Sequence, residues 1–212
     1  MRSTPSRTFT EDARRRQIVD CAIELIADVG YPQASQAKIA ERAGIAKSVV
    51  LYHFANKDDL VTEIVNTVFT KAAAIMVPAI AAAPNATEKL TAYIDANGQF
   101  LATHRREAVA LFEISNSYRS SDGLRLDQQA QKTVEAQGIP PEFALLDPQA
   151  IVELGISTGE FRADLDPAMV RNAIRGSLDG AVSDMFRNPD YDIHAFTETL
   201  KVLYLNAIGA PR

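Results

Sequence analysis

The stretch that most constrains this chain runs from Gln36 to Lys57, QAKIAERAGIAKSVVLYHFANK. Its pattern predicts a helix, a tight turn at Gly44 and a second helix. Ile39 and Ala40 share one side of the first helix, and Ala43 closes that side with a side chain small enough to let another helix cross nearby. Gly44 then stands just past the helix end, where a left-handed backbone costs glycine little. Ile45 fills the turn, and Val49, Val50 and Phe54 recur at helical spacing on the second helix. Two short helices across a glycine turn form either an ordinary helical hairpin in a core or a unit that lays its second helix in the DNA major groove.

The polar residues of the second helix separate these readings. Lys47, Ser48, Tyr52 and His53 stay off its apolar side, followed by Asn56 and Lys57. Such residues are costly to bury and suited to phosphates and base edges. Over Arg14–Val65 the chain resembles the TetR family of transcriptional regulators. The resemblance rests on IAERAGIAKSVVLYHFANKDDL, with its Tyr52-His53-Phe54 run and Asn56-Lys57, and on the pair Gly30-Tyr31 that ends the preceding helix. It implies an all-α protein: a three-helix DNA-binding head with a helix-turn-helix, followed by a helical ligand-binding and dimerisation body. Two positions depart from the family pattern. Ala46 stands where members usually carry Ser or Thr, so the second helix lacks a side-chain N-cap. Leu51 stands where many carry a phosphate-binding Tyr, which shifts that work towards Tyr52.

A net charge of −5 over 212 residues looks unsuited to nucleic acid. Its distribution reverses the inference: residues 1–60 carry net +1 and the remainder −6, and five Arg in the first sixteen residues face only Glu11 and Asp12. DNA binding needs a local basic surface rather than a basic protein. A single cysteine, Cys21, excludes an internal disulfide and is expected to be a buried structural residue of the first helix. The polar, Arg-rich N-terminus carries no signal peptide, and no apolar run is long enough to span a bilayer, so a cytoplasmic protein with no membrane partner is expected.

Residues 1–9 read as a basic arm, either a solvated tail or a minor-groove contact. The first helix is expected from Thr8 or Thr10 to Val29, with Thr8 and Glu11 as a capping box and Ile18, Cys21, Ala22, Leu25, Ile26 and Val29 as the buried stripe. Ser35 is placed to cap the next helix, bringing Gln36 near a phosphate. Asn56 and Asp59 cap a helix beginning at Lys57, whose charge shows no local partner in the sequence. That helix is expected to end near Ala74, with Met76–Pro84 as a linker. The domains are thus 1–57, the arm and DNA-binding head, and 58–212, the body.

In the body, helices are expected over Thr87–His104, Arg106–Tyr118, Leu124–Gln137, from Asp147-Pro148 to Gly159, from Asp166-Pro167 through Phe186, and after Pro189. The segment Gly159–Arg162 followed by Leu165-Asp166-Pro167 also resembles the family pattern before its penultimate helix. Polar residues at core-like positions, Asn97, His104, Glu113, Asn116, Arg175 and Asp179, set among Tyr93, Phe100, Phe112 and Met169, suggest an effector pocket. The last two helices carry apolar stripes wider than one neighbour can cover. Ile174, Leu178, Ala181, Val182, Met185, Phe196, Leu200, Leu203 and Tyr204 are expected to form a homodimer seam.

The three histidines are scattered and no zinc spacing, nucleophile elbow, P-loop or dinucleotide motif occurs, so no catalytic residue, metal or cofactor is assigned. The reading is a ligand-responsive regulator, most simply a repressor, that binds palindromic double-stranded operator DNA as a homodimer. Its DNA-facing set is Gln36, Lys47, Ser48, Val49, Tyr52, His53 and Lys57, and a small molecule releases it. The alternatives are a helical ligand carrier or enzyme without DNA binding, and a helical adaptor with a degenerate head.

Overall fold

The computed structural model describes residues 9–210. The basic arm (save Phe9), and with it the capping residue Thr8, lies outside them. The described residues form ten α-helices and two short 3-10 turns, without named strands. They are α1 (Phe9–Val29), α2 (Gln36–Arg42), α3 (Lys47–His53), α4 (Lys57–Ala82), α5 (Ala86–Thr103), α6 (Arg105–Ser117), α7 (Leu126–Gln137), α8 (Gln149–Thr158), α9 (Pro167–Arg187) and α10 (Ile193–Ile208). The chain divides into two compact units, Met1–Thr67 with Val109–Ala130, and Val68–Ala108 with Gln131–Arg212. This is not the division at 57/58 drawn from the DNA-binding motif. The first turns of α4 and a segment distant in sequence join the first unit through hydrogen bonds that no local pattern announces.

In the first unit, α1 buries Ile18, Val19, Ala22, Ile23, Leu25 and Ile26. Cys21 is half-buried and Val29 is exposed. The stripe is therefore rotated from the expected one: Val19 and Ile23 complete it, and Cys21 lies at its edge. α2 packs on α1 and α3 on α2. The turn between them is built as expected, with Gly44 at φ 64° and the Ile45 amide donating 3.0 Å to the Ala40 carbonyl. Gln17 on α1 donates to the Ala43 carbonyl at 3.1 Å and closes the end of α2. Ile39, Val50 and Phe54 are 2% exposed or less, each contributing roughly 1.5–3 kcal/mol by burial.

α4 does not stop near Ala74. It continues to Ala82 with Pro78 inside it, although an interior proline costs a helix about 3 kcal/mol. Met76 and Ile80 extend the buried row Leu60, Ile64, Val68, Ala72 at four-residue steps, and that burial offsets the lost hydrogen bond. Read as one helix, Lys57–Ala82 is long and apolar enough by length and composition to cross a membrane, contrary to the run-length expectation. Its large apolar side chains are all buried or half-buried in the protein.

In the second unit, α5 packs against α8 and α10, and α9 against α8 and α10. Close crossings are set by glycine: a β-carbon on Gly98 would lie 2.8 Å from the Thr197 side chain, and one on Gly155 would collide with the Phe161 ring. Phe161 pairs with Gly209 in an isolated antiparallel bridge. Beside it, Glu160 closes the start of α5 by accepting from the amides of Ala86 (3.1 Å) and Thr87 (2.9 Å) and the Thr87 hydroxyl (2.8 Å). These donors, the Thr87 amide foremost, hold its carboxyl down at about 2. α8 ends on left-handed Gly159, as expected, but begins at Gln149. Asp147, expected to cap it with Pro148 as the first helical residue, still accepts the Gln149 amide at 2.9 Å but stands one position before the observed cap, Pro148. Asp166 caps α9 through the amides of Ala168 and Met169.

Candidate DNA-binding surface and effector body

α3 is a seven-residue helix that buries Val50, half-buries Val49 and His53, and exposes Lys47, Ser48, Leu51 and Tyr52. Its start at Ala46 has no side-chain cap. Its other end is held by a residue that the motif does not reveal. The Arg15 guanidinium donates to the His53 carbonyl, pairs with Glu63 at 2.6 Å and lies 4.2 Å from the Phe54 ring centre. Arg15 thus ties the C-terminus of α3 to α1 and α4 at once. A charge-assisted bond to a helix C-terminal carbonyl also opposes the negative end of the helix dipole. The signal for it in sequence is weak: one arginine among three consecutive ones, 38 positions from its carbonyl partner.

Tyr52, 74% exposed, stands edge-on to His53 and donates its hydroxyl to Glu11 at 3.3 Å. Ser35 caps α2 as expected, accepting the Lys38 amide at 3.3 Å. Gln36 opens α2 behind that cap, as expected, but its side chain turns inward. Its Nε2 is buried without a protein partner, and the side chain lines a cavity of about 10 Å³ with Tyr31, Ala34, Ile39, Lys57 and neighbours. Its amide group is turned into the unit rather than presented with Lys47 and Ser48.

Lys57 opens α4 behind the Asn56 cap, whose side chain accepts the Asp59 amide at 2.8 Å. The expectation that its charge lacks a partner is corrected: its Nζ lies 4.0 Å over the Tyr31 ring, and burial lowers its pKa. Asp58 beside it is held in the charged form, first by the Ser121 amide at 2.9 Å and then by the Tyr118 hydroxyl at 2.9 Å.

The residues assigned to an effector pocket fall into two groups. Tyr93, Asn97, Phe100, His104 and Met169 belong to the second unit, and Phe112, Glu113 and Asn116 to the first. Within the second unit Tyr93 and Phe100 are buried, and His104 stacks on Phe100 with ring centres 5.1 Å apart. Burial raises the Tyr93 phenol to about 12, against the opposing influence of Arg175 and Asn97, with Asp147 and Asp179 also near. Partial desolvation raises the Asp179 carboxyl, which Arg175 counters. Met169 is 65% exposed and joins none of this. Glu113 instead accepts the Tyr31 amide at 3.3 Å, and Asn116 returns its amide to the Phe112 carbonyl of its own helix at 2.8 Å.

The expected seam is likewise redistributed. Ile174, Leu178, Ala181, Val182, Met185 and Leu200 are buried inside the second unit, while Phe196 and Tyr204 are half-buried. Leu203, 60% exposed, faces outward with Val202, also 60%. On α9 the exposed positions include a stripe of Met169, Ala173, Gly176 and Gly180 beside the polar Asn172, Arg175, Asp179 and Asp184, and nothing stands within 4 Å of a β-carbon built on either glycine.

Residues 18–64 match the family described as bacterial regulatory proteins, tetR family. Residues 69–207, well over half of the chain, match the YsiA-like protein C-terminal region. The chain belongs to the TetR family. It is similar to the fatty acid metabolism regulator protein of Bacillus subtilis, 29% identical over 194 residues that cover 91% of this chain and 94% of that one. The transcriptional repressor KstR2 of Mycolicibacterium smegmatis is 27% identical over 172 residues, covering 81% and 78%. Among solved structures, FadR from Bacillus subtilis in complex with stearoyl-CoA superposes with a TM-score of 0.70 at 27% identity, covering 90% of this chain and 97% of that one. These TetR-family relatives are transcriptional regulators rather than enzymes. The chain is accordingly a DNA-binding, ligand-responsive transcriptional regulator.

Proposed function

We propose that this chain is a homodimeric repressor that occupies a palindromic operator and leaves it when a coenzyme A thioester of a long-chain acid binds the body. The observation that carries the DNA half is the face of α3. Lys47, Ser48 and Tyr52 stand outward from a helix anchored by Val50, Phe54 and Arg15. We assign base reading to Lys47, Ser48 and Tyr52, with Val49 and His53 at the edges, and phosphate contact to Lys57 and the backbone amide of Gln36. Two such helices about one DNA turn apart, roughly 34–36 Å, would read a two-fold site.

The dimer seam in this reading is the outward face of α9 and α10. Ala173, Gly176 and Gly180 let a second pair of helices approach closely, and Val202 and Leu203 supply apolar area. The effector class comes from the stearoyl-CoA bound to the Bacillus subtilis FadR. In this chain Tyr93, Asn97, Phe100 and His104, with Arg175 and Asp179, provide apolar walls and few polar groups, the composition of a small-molecule site. A protein that acts on operator DNA and answers to a coenzyme A thioester would work in the cytoplasm, and this reading assigns it no catalytic step, cofactor or membrane partner.

The test is a titration of the protein on its selected operator with stearoyl-CoA, with free coenzyme A as control. The expected result is release by the thioester and weaker thioester binding in the presence of operator, by the same factor. Equal thioester affinity with and without operator sinks the induction mechanism and leaves DNA binding standing. Binding of the thioester by a protein that selects no DNA sequence favours the ligand-carrier alternative.

A further inference from the structure

The segment Val109–Ala130 returns to the first unit and carries none of the residues assigned to DNA. Three of its groups nevertheless hold the neighbours of Lys57, which is so assigned. Glu113 accepts the Tyr31 amide at 3.3 Å. It approaches so closely that a β-carbon on Gly30, itself at φ 82°, would stand 3.1 Å from the carboxylate. Tyr118, 1% exposed, sets its ring edge-on to Tyr31 with centres 5.9 Å apart. Its hydroxyl and the Ser121 amide take the two oxygens of Asp58, each at 2.9 Å. Between these anchored groups lies Lys57, its ammonium 4.0 Å over the Tyr31 ring.

We propose that Glu113 and Tyr118 are positioning residues for operator binding: they fix the Tyr31 ring and Asp58 so that the Lys57 ammonium stands ready at the start of α4 for a DNA phosphate. The proposal rests on the reading of α3 and the start of α4 as the DNA surface. A free lysine must be ordered when it meets phosphate, whereas one seated on a ring beside a fixed carboxylate is ordered on folding. The Tyr31 ring can seat it only if its own backbone is held. The Glu113 carboxylate supplies that hold, satisfying an amide left without a helical partner where α1 gives way to the 3-10 turn Tyr31–Gln33.

The experiment is a set of double-mutant cycles read through the salt dependence of binding to a duplex selected from a random-sequence library by the wild-type protein. Lys57→Ala is expected to lower the slope of log K against log salt by about one unit per lost phosphate contact. Glu113→Ala should weaken binding by about fivefold, the scale of one exposed cation–ring contact, and lower the slope in the same way. Adding Lys57→Ala to Glu113→Ala should then cost little more, because the contact is already lost. Glu113→Gln, whose amide oxygen still accepts the Tyr31 amide, should restore both slope and affinity.

Tyr118→Phe keeps the buried ring and loses only the Asp58 bond. It should couple to Lys57→Ala in the same sense, and it decides the matter if Glu113→Ala does not fold. Additive effects with an unchanged slope in these variants would reduce Glu113 and Tyr118 to fold support and overturn the proposal. If Lys57→Ala itself leaves the slope unchanged, the assigned DNA surface fails, and the proposal with it.

Discussion

Helix α3, assigned here to base reading, and the penultimate helix α9 are both two-faced, and they were not equally readable. α3 buries Val50 and presents lysine, serine and tyrosine outward, so polarity alone says which face is inside. α9 buries Ile174, Leu178, Ala181, Val182 and Met185, but beside the exposed polar Asn172, Arg175, Asp179 and Asp184 it carries a second small or apolar stripe, Met169, Ala173, Gly176 and Gly180. Periodicity reports that such a helix has apolar stripes; it does not say which one fills its own core. Side-chain volume does. A core excludes voids, so the stripe of branched and long side chains goes inside, and the stripe with glycines is left for a surface that can come close.

The largest effect expected from breaking this comparison is Leu178→Arg. Leu178 is 6% exposed within its own unit, so an arginine there places an unpaired charge in the core and costs several kcal/mol. The second unit should lose its cooperative melt. Leu203→Arg, on the outward face of α10, should by contrast keep the melting temperature of the protomer and yield monomers that fail to hold a palindrome. Sedimentation and thermal melts of the two variants separate core from seam. Folded monomers from Leu178→Arg, or dimers from Leu203→Arg, would place the two-fold axis elsewhere.

A smaller effect is expected at Arg15, which plays for α3 the part that core packing plays for α9. Removing its side chain frees the His53 carbonyl and leaves Glu63 without its ion pair, a loss of about 1–3 kcal/mol. Arg15→Ala should lower both stability and operator affinity. Arg15→Lys keeps the charge near Glu63 but lacks the planar fork that serves the carbonyl as well. It should therefore recover stability more than affinity. Unchanged operator affinity in Arg15→Ala would show that the recognition helix needs no clamp at its C-terminus.

The helix-turn-helix, its Ser35 cap, the glycine turn, the missing cap at Ala46 and the glycine and proline ends of α8 and α9 were legible because each is set by neighbours within a few positions. Contacts across many positions were not. Arg15 with His53, Glu113 with Tyr31 and Tyr118 with Asp58 join residues 38 to 82 apart, and nothing in local pattern pairs them. The same limit explains Lys57, whose partner is a ring that lies before α2, and Glu113, which core-like spacing assigned to an effector. Pro78 misled in the opposite direction. A local rule ended α4 near Ala74, while burial of Met76 and Ile80 carried it to Ala82.

The smallest effect expected concerns Glu160, a side chain whose contacts are again non-local, but in the body. Its folded pKa of about 2 lies below its ordinary value of 4.5, because the amides of Thr87 and Ala86 and the Thr87 hydroxyl bond its charged form at the start of α5. A depressed folded pKa favours folding where the carboxyl is ionised in both states. The contribution is therefore full above pH 4.5 and is lost as pH falls from there towards about 2. The site is close to solvent, which screens the effect. Glu160→Gln keeps an acceptor but not the charge, so at neutral pH it should melt slightly below the wild type. The two melting curves should converge as pH is lowered through that window. A gap that stays constant across it would mean that the Glu160 charge does not contribute and that its hydrogen bonds alone close the helix.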